Sequence, residues 1–584
     1  MKTKFTTLMF AIATSALAQN PNPIRVNQVG YGSHDSKTVA IEEAGWVKQY
    51  TLKSEASGKT VWKGKALRTA TSPWSGKQRA IVDFSAVTTP GTYILSNGKA
   101  TQRIIISDSP YTELSKASLK AFYLQRSGEV IDAEYAGEYA RPAGHMDDKV
   151  MIHPSAVSEG RPAGTIIKSP GGWYDAGDYN KYIVNSAFSI GLMLDSYAMN
   201  EGYYKRLNVN IPESKNNTPD LLDELLVNMR WMQTMQDPSD GGVYHKLTTP
   251  NFESFVKPTD CHQQRYVVAK STAAALDFAA TMAKAYRIYS AFPEYKSWAE
   301  GALEQAKKAY AWAQKNPRVY YRQEVMNRDF DPDVQTGTYG DNNVQDEFLW
   351  AKAELFLSTR DMSYVQDIMT NYSDIRFSNP SWGNVTGLAF YTLIDALQAL
   401  EGQEAAYLGT VKSVLTKQIV DTADKYLATL AGSCFDSPCG NTPGDFGWGC
   451  NGEQVCGKGI ILLYAHSLTK DAKYLEAAKK VADYLLGRNA TGYCFVTGFG
   501  TFSPMHPHHR LSESDGIAAP LPGFLVGGPN PGQQDKADTP KYPSNYPDES
   551  YLDVMQSYAS NEIAINWNAS LVAFIGWLDN SYSK

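Results

Sequence analysis

From Ile24 to about Ser107 apolar and polar residues alternate in steps of two, in the runs IRVNQVGY, TVAIEE, KQYTLKS, KTVWKG, RAIVDFS, GTYILS and QRIIIS. A strand sends successive side chains to opposite faces, so runs of this length predict a small β-sandwich, punctuated by Gly58, Gly64, Pro90, Gly91 and Gly98. After Pro110 the apolar period becomes helical and stays so nearly to the end. Thr218, Pro219 and Asp220 read as a cap, a first-turn proline and an acid matched to the helix dipole; Leu222, Leu225, Leu226, Met229 and Met232 then share one face. Further helices are predicted over SLKAFYLQR, STAAALDFAATMAKAYRIY, SWAEGALEQAKKAYAWAQ, VQDEFLWAKAELFLS, VTGLAFYTLIDALQAL, a long stretch after Glu404, AKYLEAAKKVADYLLG and ASNEIAINWNASLVAFIGWL. About a dozen helices without a repeat signature imply a toroid or large bundle.

The chain opens MKTKFTTLMFAIATSALAQN, with Lys2 and Lys4 before an apolar run and small residues at Ala16 and Ala18. That is the pattern of a cleaved secretory signal, and it sets the expected organisation: residues 1–18 signal, 23–107 β-sandwich, 110–584 helical domain. The expected product is exported, to the medium, periplasm or cell surface, and is a monomer. No later stretch is long and apolar enough to span a membrane, so no membrane partner is expected. A formal charge of -6 argues against nucleic acid. The aromatic fraction of 12%, with 36 Tyr and 12 Trp, suits a protein that lays rings against sugar faces, although large cores use aromatics too. Four of the six cysteines, Cys434, Cys439, Cys450 and Cys456, crowd together, Cys261 and Cys494 standing apart. In an exported chain such a cluster predicts disulfides before it predicts zinc, because no histidine lies among the four; spacing does not fix their connectivity, Cys434–Cys439 and Cys450–Cys456 being candidate local loops.

Candidate chemistry centres on GGWYDAGDYNKY. Asp175 and Asp178 enclose Ala176 and Gly177, so a turn or first helical turn aims both carboxylates the same way, a geometry that holds water. An acidic helix N-terminus is the plainer reading of the same residues. The irregular stretch from Asn489 to Ser550 holds His506, His508, His509 and Arg510: a metal site, a surface loop, or His508 and Arg510 donating to sugar hydroxyls. Glu562 lies in an apolar segment with Tyr558 and Trp567, the setting of a carboxyl with a raised pKa, against the ordinary reading of a solvent-facing glutamate at a helix start.

Taken together, IRVNQVGY, GGWYDAGDYNKY, TGTYGD with DEFLWAKAELF, GRNATGY, PMHPHHR, GGPNPGQQD and YLDVMQSYASNEIAINWNAS resemble glycoside hydrolase family nine over almost the whole chain. The resemblance is to the cellulase branch with an N-terminal immunoglobulin-like domain before an (α/α)6 barrel. The last motif carries the family's spacing at Tyr551, Asp553, Tyr558, Glu562, Ala564, Asn568 and Ala569. The resemblance implies an inverting β-1,4-glucan hydrolase: Asp178 as general base, Asp175 its partner on the attacking water, Glu562 as general acid, and His508, Arg510 and Tyr558 as substrate-binding residues. Hydrolysis of a glycosidic bond needs such a base and acid. The family's calcium is expected at Asp341, Asp346 and Glu347, hard oxygen ligands in TGTYGDNNVQDE, although an acidic helix start reads the same. Zinc is not expected, because Ser127 and Gly144 stand where relatives of this branch place cysteines and only His145 and His153 remain. Endo and exo action are not separable in the sequence, and a noncatalytic carbohydrate-binding protein is the rival class.

Overall fold

The computed structural model describes residues 19–398 and 403–583, so the predicted signal at 1–18 lies outside the described residues. The alternating runs form two facing sheets. Strands β1 (Ile24–Arg25), β2 (Tyr31–Gly32), β3 (Thr38–Glu42), β4 (Tyr50–Ser54), β5 (Thr60–Gly64), β6 (Arg68–Thr71), β7 (Gln78–Asp83), β8 (Gly91–Ser96) and β9 (Thr101–Ser107) sort into the orders β1-β3-β7-β6 and β2-β9-β8-β4-β5. Their inward positions, among them Ile24, Val39, Ile41, Leu52, Val82, Leu95, Ile104 and Ile106, make a separate apolar core. Strand β6 was not anticipated: RTAT buries only Ala70 and pairs with β7 at the sheet edge, so it lacks the apolar alternation that announces the others.

The helical region runs through α1 (Thr112–Leu124), α2 (Ile183–Met199), α3 (Asp220–Thr234), α4 (Thr272–Tyr289), α5 (Lys296–Lys315) and α6 (Gln345–Thr359). It continues through α7 (Gln366–Asn371), α8 (Thr386–Gln398), α9 (Gln403–Leu430), α10 (Gly457–Thr469), α11 (Ala472–Leu485) and α12 (Ile565–Tyr582). Even-numbered helices form an inner ring that closes where α12 packs on α2, and odd-numbered helices lie outside. This is the expected (α/α)6 barrel. Helices α2 and α10, absent from the predicted set, are buried nearly all round and therefore show no polar face to set a period. Inside the ring Lys284 of α4 pairs with Asp195 of α2 and with Glu354 of α6, which also accepts from Thr392 and Trp350. Buried charges survive only when answered in this way. Among the described residues no helix is long and apolar enough to cross a membrane.

Three expectations need correction. Helix α3 starts at Asp220 with Pro219 as its N-cap and no side-chain cap; the Thr218 hydroxyl donates to Glu294 instead. The last helix does not carry Glu562, because Glu562 to Ala564 are extended and spend their backbone on bridges to other segments, α12 beginning at Ile565. The predicted disulfides are absent, all six cysteines being free thiols. Cys434 turns to Arg79, whose Nη1 donates to its Sγ at 3.3 Å, and Cys450 Sγ faces the Pro529 carbonyl at 3.3 Å.

A polar seam joins sandwich to barrel. Asn27 donates to Asp483 at 3.0 Å, Asp35 receives Lys479 and Tyr582, and Ser72 and Lys77 reach Asp548 and Glu549.

Candidate active site

The site lies where α2 and α12 begin, and backbone bonds set its geometry. Asp175 to Lys181 is a tight turn, not a helix start, closed by the Asp175 N–H donating to the Asn180 carbonyl at 3.0 Å. Ala176 bridges Ala564, His508 bridges Glu562 and Val526 bridges Ile563. The Ile565 N–H donates to the Asp175 carbonyl at 2.8 Å, Gly527 N–H to that of Glu562 at 2.9 Å, and Arg510 N–H to that of Gly177 at 3.1 Å. Segments far apart in sequence are thus laced at fixed register, and Asp175, Asp178, His508, Arg510 and Glu562 come together. Gly177 is required by close approach: a Cβ there would lie 2.2 Å from the His508 carbonyl oxygen and 3.1 Å from Oε1 of Glu562.

The two aspartates differ in what they have left to offer. Asp175 accepts from Asn185 Nδ2 on Oδ1 at 2.8 Å and from the Tyr339 hydroxyl on Oδ2 at 2.7 Å. Asp178 takes both its donors on Oδ2, from Asn180 Nδ2 at 2.5 Å and the Tyr182 hydroxyl at 3.1 Å, and among the described residues no donor reaches Oδ1. Burial, and then the neighbouring Asp178, pushes Asp175 up to about 8. Burial also drives Glu562 well above the usual carboxylate range, with Asp178 adding to the shift and Arg510 opposing it. The direction of the shift favours the protonated form of Glu562.

His508 does not present the donor the sequence reading gave it. Its Nδ1 lies 2.6 Å from the Met555 carbonyl, which can only accept, so Nδ1 carries the proton and Nε2 is an acceptor. Burial and Arg510 lower its pKa to about 4, which keeps the ring neutral. Arg510 donates through Nε to the Glu253 carbonyl at 2.7 Å and through Nη1 to that of Gly177 at 2.8 Å, leaving Nη2 unspent. Tyr558 stands beside Trp448 (ring centroids 5.4 Å apart) and His508. Trp382 packs edge-on against Tyr339, and Phe252 and Phe255 lie under the Arg510 guanidinium. Trp448 and Phe252 are 46% and 45% exposed, the surface a sugar ring stacks on. Asp553 has another place: it accepts from the N–H groups of Met505 and His506 and from Asn561, and so pins the loop beside Glu562. The three histidines of the motif do not converge, since His509 is bonded to Ser512 and Gln125 while His506 is exposed near Glu513.

The sequence reading missed Asn180, Tyr182, Asn185 and Tyr339 as the donors that orient the aspartates, and Trp382 and Trp448 as rings beside the site. Asn180 and Tyr182 sit in the same motif as the aspartates, and Tyr339 in TGTYGD; their side-chain chemistry was the available signal.

The acidic residues expected to hold calcium gain a fourth. Burial, and then Asp346 and Asp341, raise the pKa of Asp277 of α4, and burial, and then Asp277, raise that of Glu347. Both carboxylate oxygens of Asp277 and Glu347, and Oδ1 of Asp346, are buried with no hydrogen-bond partner. Among the described residues these groups are not drawn in tightly enough to form a ready ligand set. Orphaned buried oxygens nonetheless suit a hard cation with oxygen ligands. Near Ser127, where zinc is not expected, a Cβ at Gly144 would lie 2.4 Å from Pro258, both ring nitrogens of His153 are taken, by Ser155 and the Pro332 carbonyl, and His145 keeps Nε2 buried without a partner among the described residues.

Known proteins share this architecture. A xyloglucan-specific endo-β-1,4-glucanase of Bacteroides ovatus is 51% identical over 95% of this chain and 93% of its own length. Endoglucanase D of Acetivibrio thermocellus is 33% identical over 94% and 82%. The solved structure of a Bacteroides ovatus GH9 protein superposes with a TM-score of 0.91 at 49% identity, covering 96% of this chain and 99% of that one. A metagenome-derived family 9 endoglucanase gives 0.84 at 30% identity, covering 95% and 99%. The cellulase N-terminal ig-like domain matches residues 19–102 and glycosyl hydrolase family 9 matches residues 111–575, so the chain belongs to glycosyl hydrolase family 9.

Proposed function

We propose that the chain is an exported, inverting endo-β-1,4-glucanase in which Asp178 activates water and Glu562 protonates the leaving oxygen. The observation that carries this reading is the unequal spending of the two aspartates. Asp178 keeps Oδ1 for a water, while Asp175 is held on both oxygens and serves to fix the turn and the second side of that water. Glu562, kept protonated by burial and by the Asp178 charge, has the proton that the departing glycosidic oxygen needs. His508 Nε2 and Arg510 Nη2 bind sugar hydroxyls as acceptor and donor, and Tyr558 and Trp448 supply ring faces. A noncatalytic binder needs none of the unspent base or the protonated acid.

Similarity to the Bacteroides ovatus enzyme supports a branched β-1,4-glucan of the xyloglucan type as the polymer. Calcium, held by Asp277, Asp341, Asp346 and Glu347, neutralises their mutual repulsion and stiffens the loop that carries Tyr339. Export rests on the N-terminal pattern alone.

Asp178→Asn and Glu562→Gln test the roles. Each removes a proton-transfer group at constant shape and is expected to lower kcat on a soluble β-1,4-glucan by about 10²–10⁴-fold with the fold intact. Full activity in either folded variant removes its assignment.

A further inference from the structure

Beside the catalytic residues, across the ridge of residues 554–558, the structure holds a second cavity of about 650 Å3. It lies in the size range of small-ligand sites, about 300–1,000 Å3. Phe502, Ser503, Met505, His506, Glu513 and Gln556 line it. The wall between cavity and catalytic site is thin: Met555 faces the cavity while its carbonyl holds His508, and two residues after Gln556 comes Tyr558. His506 and His508 likewise stand on either side of Pro507. The loop forming the floor is anchored by Asp553, which also lines the cavity and accepts from the N–H groups of Met505 and His506, and by Gln28 of the sandwich on those of Thr501 and Phe502. It is a built surface, not a frayed one.

Its chemistry selects a class of ligand. Among the described residues the Ser503 hydroxyl and the Gln556 amide show no hydrogen bond, and the Glu513 carboxylate meets His506 only at 3.9 Å, so hydroxyl, amide, carboxylate and imidazole retain capacity for a ligand. They surround the apolar faces of Phe502 and Met505, the latter 45% exposed. Among the described residues no lysine or arginine lines the cavity and two carboxylates, Glu513 and Asp553, do, which disfavours a phosphate or a uronate as occupant. Apolar faces bordered by mixed donors and acceptors without a cation fit a neutral polyhydroxyl ring.

We infer that this cavity receives a neutral saccharide branch of the β-1,4-glucan whose main chain lies in the catalytic cleft, and so sets the preference for branched over plain glucan. The inference rests on the proposed reaction for its main chain, and the tests separate the two. On the wild-type background, His506→Ala with Gln556→Ala is expected to lower kcat/KM on a xylose-branched β-1,4-glucan oligosaccharide about tenfold, one hydrogen-bonded contact's worth. Hydrolysis of the unbranched oligosaccharide of equal length is expected to stay unchanged. Equal losses on both substrates, or no loss on either, overturn the inference. Ser503→Phe, which fills the cavity from an accessible position, is expected to act in the same direction. Binding is then measured without turnover, by calorimetry on Glu562→Gln protein with the same two oligosaccharides. Tighter binding of the branched one, lost in the triple variant His506→Ala, Gln556→Ala, Glu562→Gln, supports the branch site even if no hydrolysis is seen. Equal affinity for both refutes it even if hydrolysis is strong.

Discussion

Gly177→Ala places one methyl group at the point where the turn from Asp175 to Lys181 crosses the wall of the site. Its Cβ would fall 2.2 Å from the His508 carbonyl oxygen, roughly 1 Å inside van der Waals contact. The oxygen has little freedom to retreat, because His508 is tied through its own N–H to the Asn561 carbonyl at 2.9 Å and is bridged to Glu562. Relief therefore comes from separating the Asp178 turn from the Glu562 strand. A displacement of about 1 Å in a reacting group costs about 10²-fold in rate, which corresponds to about 2.7 kcal/mol in the barrier. Overpacking adds about 1–3 kcal/mol of lost stability. Expected is a folded protein with a lower thermal midpoint, and a kcat on soluble β-1,4-glucan reduced about 10²-fold with a smaller change in KM. Steady-state kinetics with a circular-dichroism melt on the same preparation checks both. An unchanged kcat would refute the claim that this crossing sets the distance between acid and base.

Proton NMR at the onset of hydrolysis should show the α-anomer first, since Asp178 and Glu562 acting from opposite faces need about 6.5–9.5 Å between carboxyls to admit water; early β-anomer would mean a covalent intermediate. Asp175 has a folded pKa above its unfolded one, so the stability tied to its proton is complete below about 4 and lost as pH rises towards about 8. Asp175→Asn should accordingly gain thermal midpoint over the parent more at pH 8 than at pH 5 while losing activity, and a gain independent of pH would contradict the buried-carboxyl account. EDTA should lower the thermal midpoint, with calcium and not zinc restoring it, and Asp277→Asn should weaken that calcium response; a midpoint indifferent to EDTA would remove the cation from the acidic cluster.

Much of this was legible because periodicity reports burial. The sandwich strands β8 and β9 and the two-faced helices α5 and α11 bury one face more than the other, so their patterns carry their structure. Helices α2 and α10 are enclosed on every side, and no alternation survives to mark them. The motif and the resemblance singled out Asp175, Asp178 and Glu562 and gave each an expected role, yet which carboxylate oxygens are already taken was not legible, since for Asp175 it depends on Asn185 and Tyr339 across the fold. Glu562 was read as helical because its flanks favour helix; bridges from His508, Val526 and Ala176 to residues 562–564 override that local preference. Asp277 could not be joined to Asp346 from sequence, for nothing but packing of α4 on α6 brings them together. The cysteines misled because proximity along the chain is not proximity of thiols, and Cys434 is claimed by an arginine of the other domain.

The seam between sandwich and barrel dictates an order of assembly. Asp35 finds Lys479 at a separation of 444 residues and Tyr582 at 547. A chain emerging from the ribosome thus presents a finished sandwich core early, while the polar side of that unit stays without its partners until α11 and α12 are made. Contacts of such separation form late and slowly. The same timetable governs the chemistry: Asp178 is synthesised in the first third of the chain and Glu562 almost at its end, just before α12 closes the ring against α2. The two carboxyls are therefore brought together only after the segment from Glu562 into α12 has been made and has packed on α2.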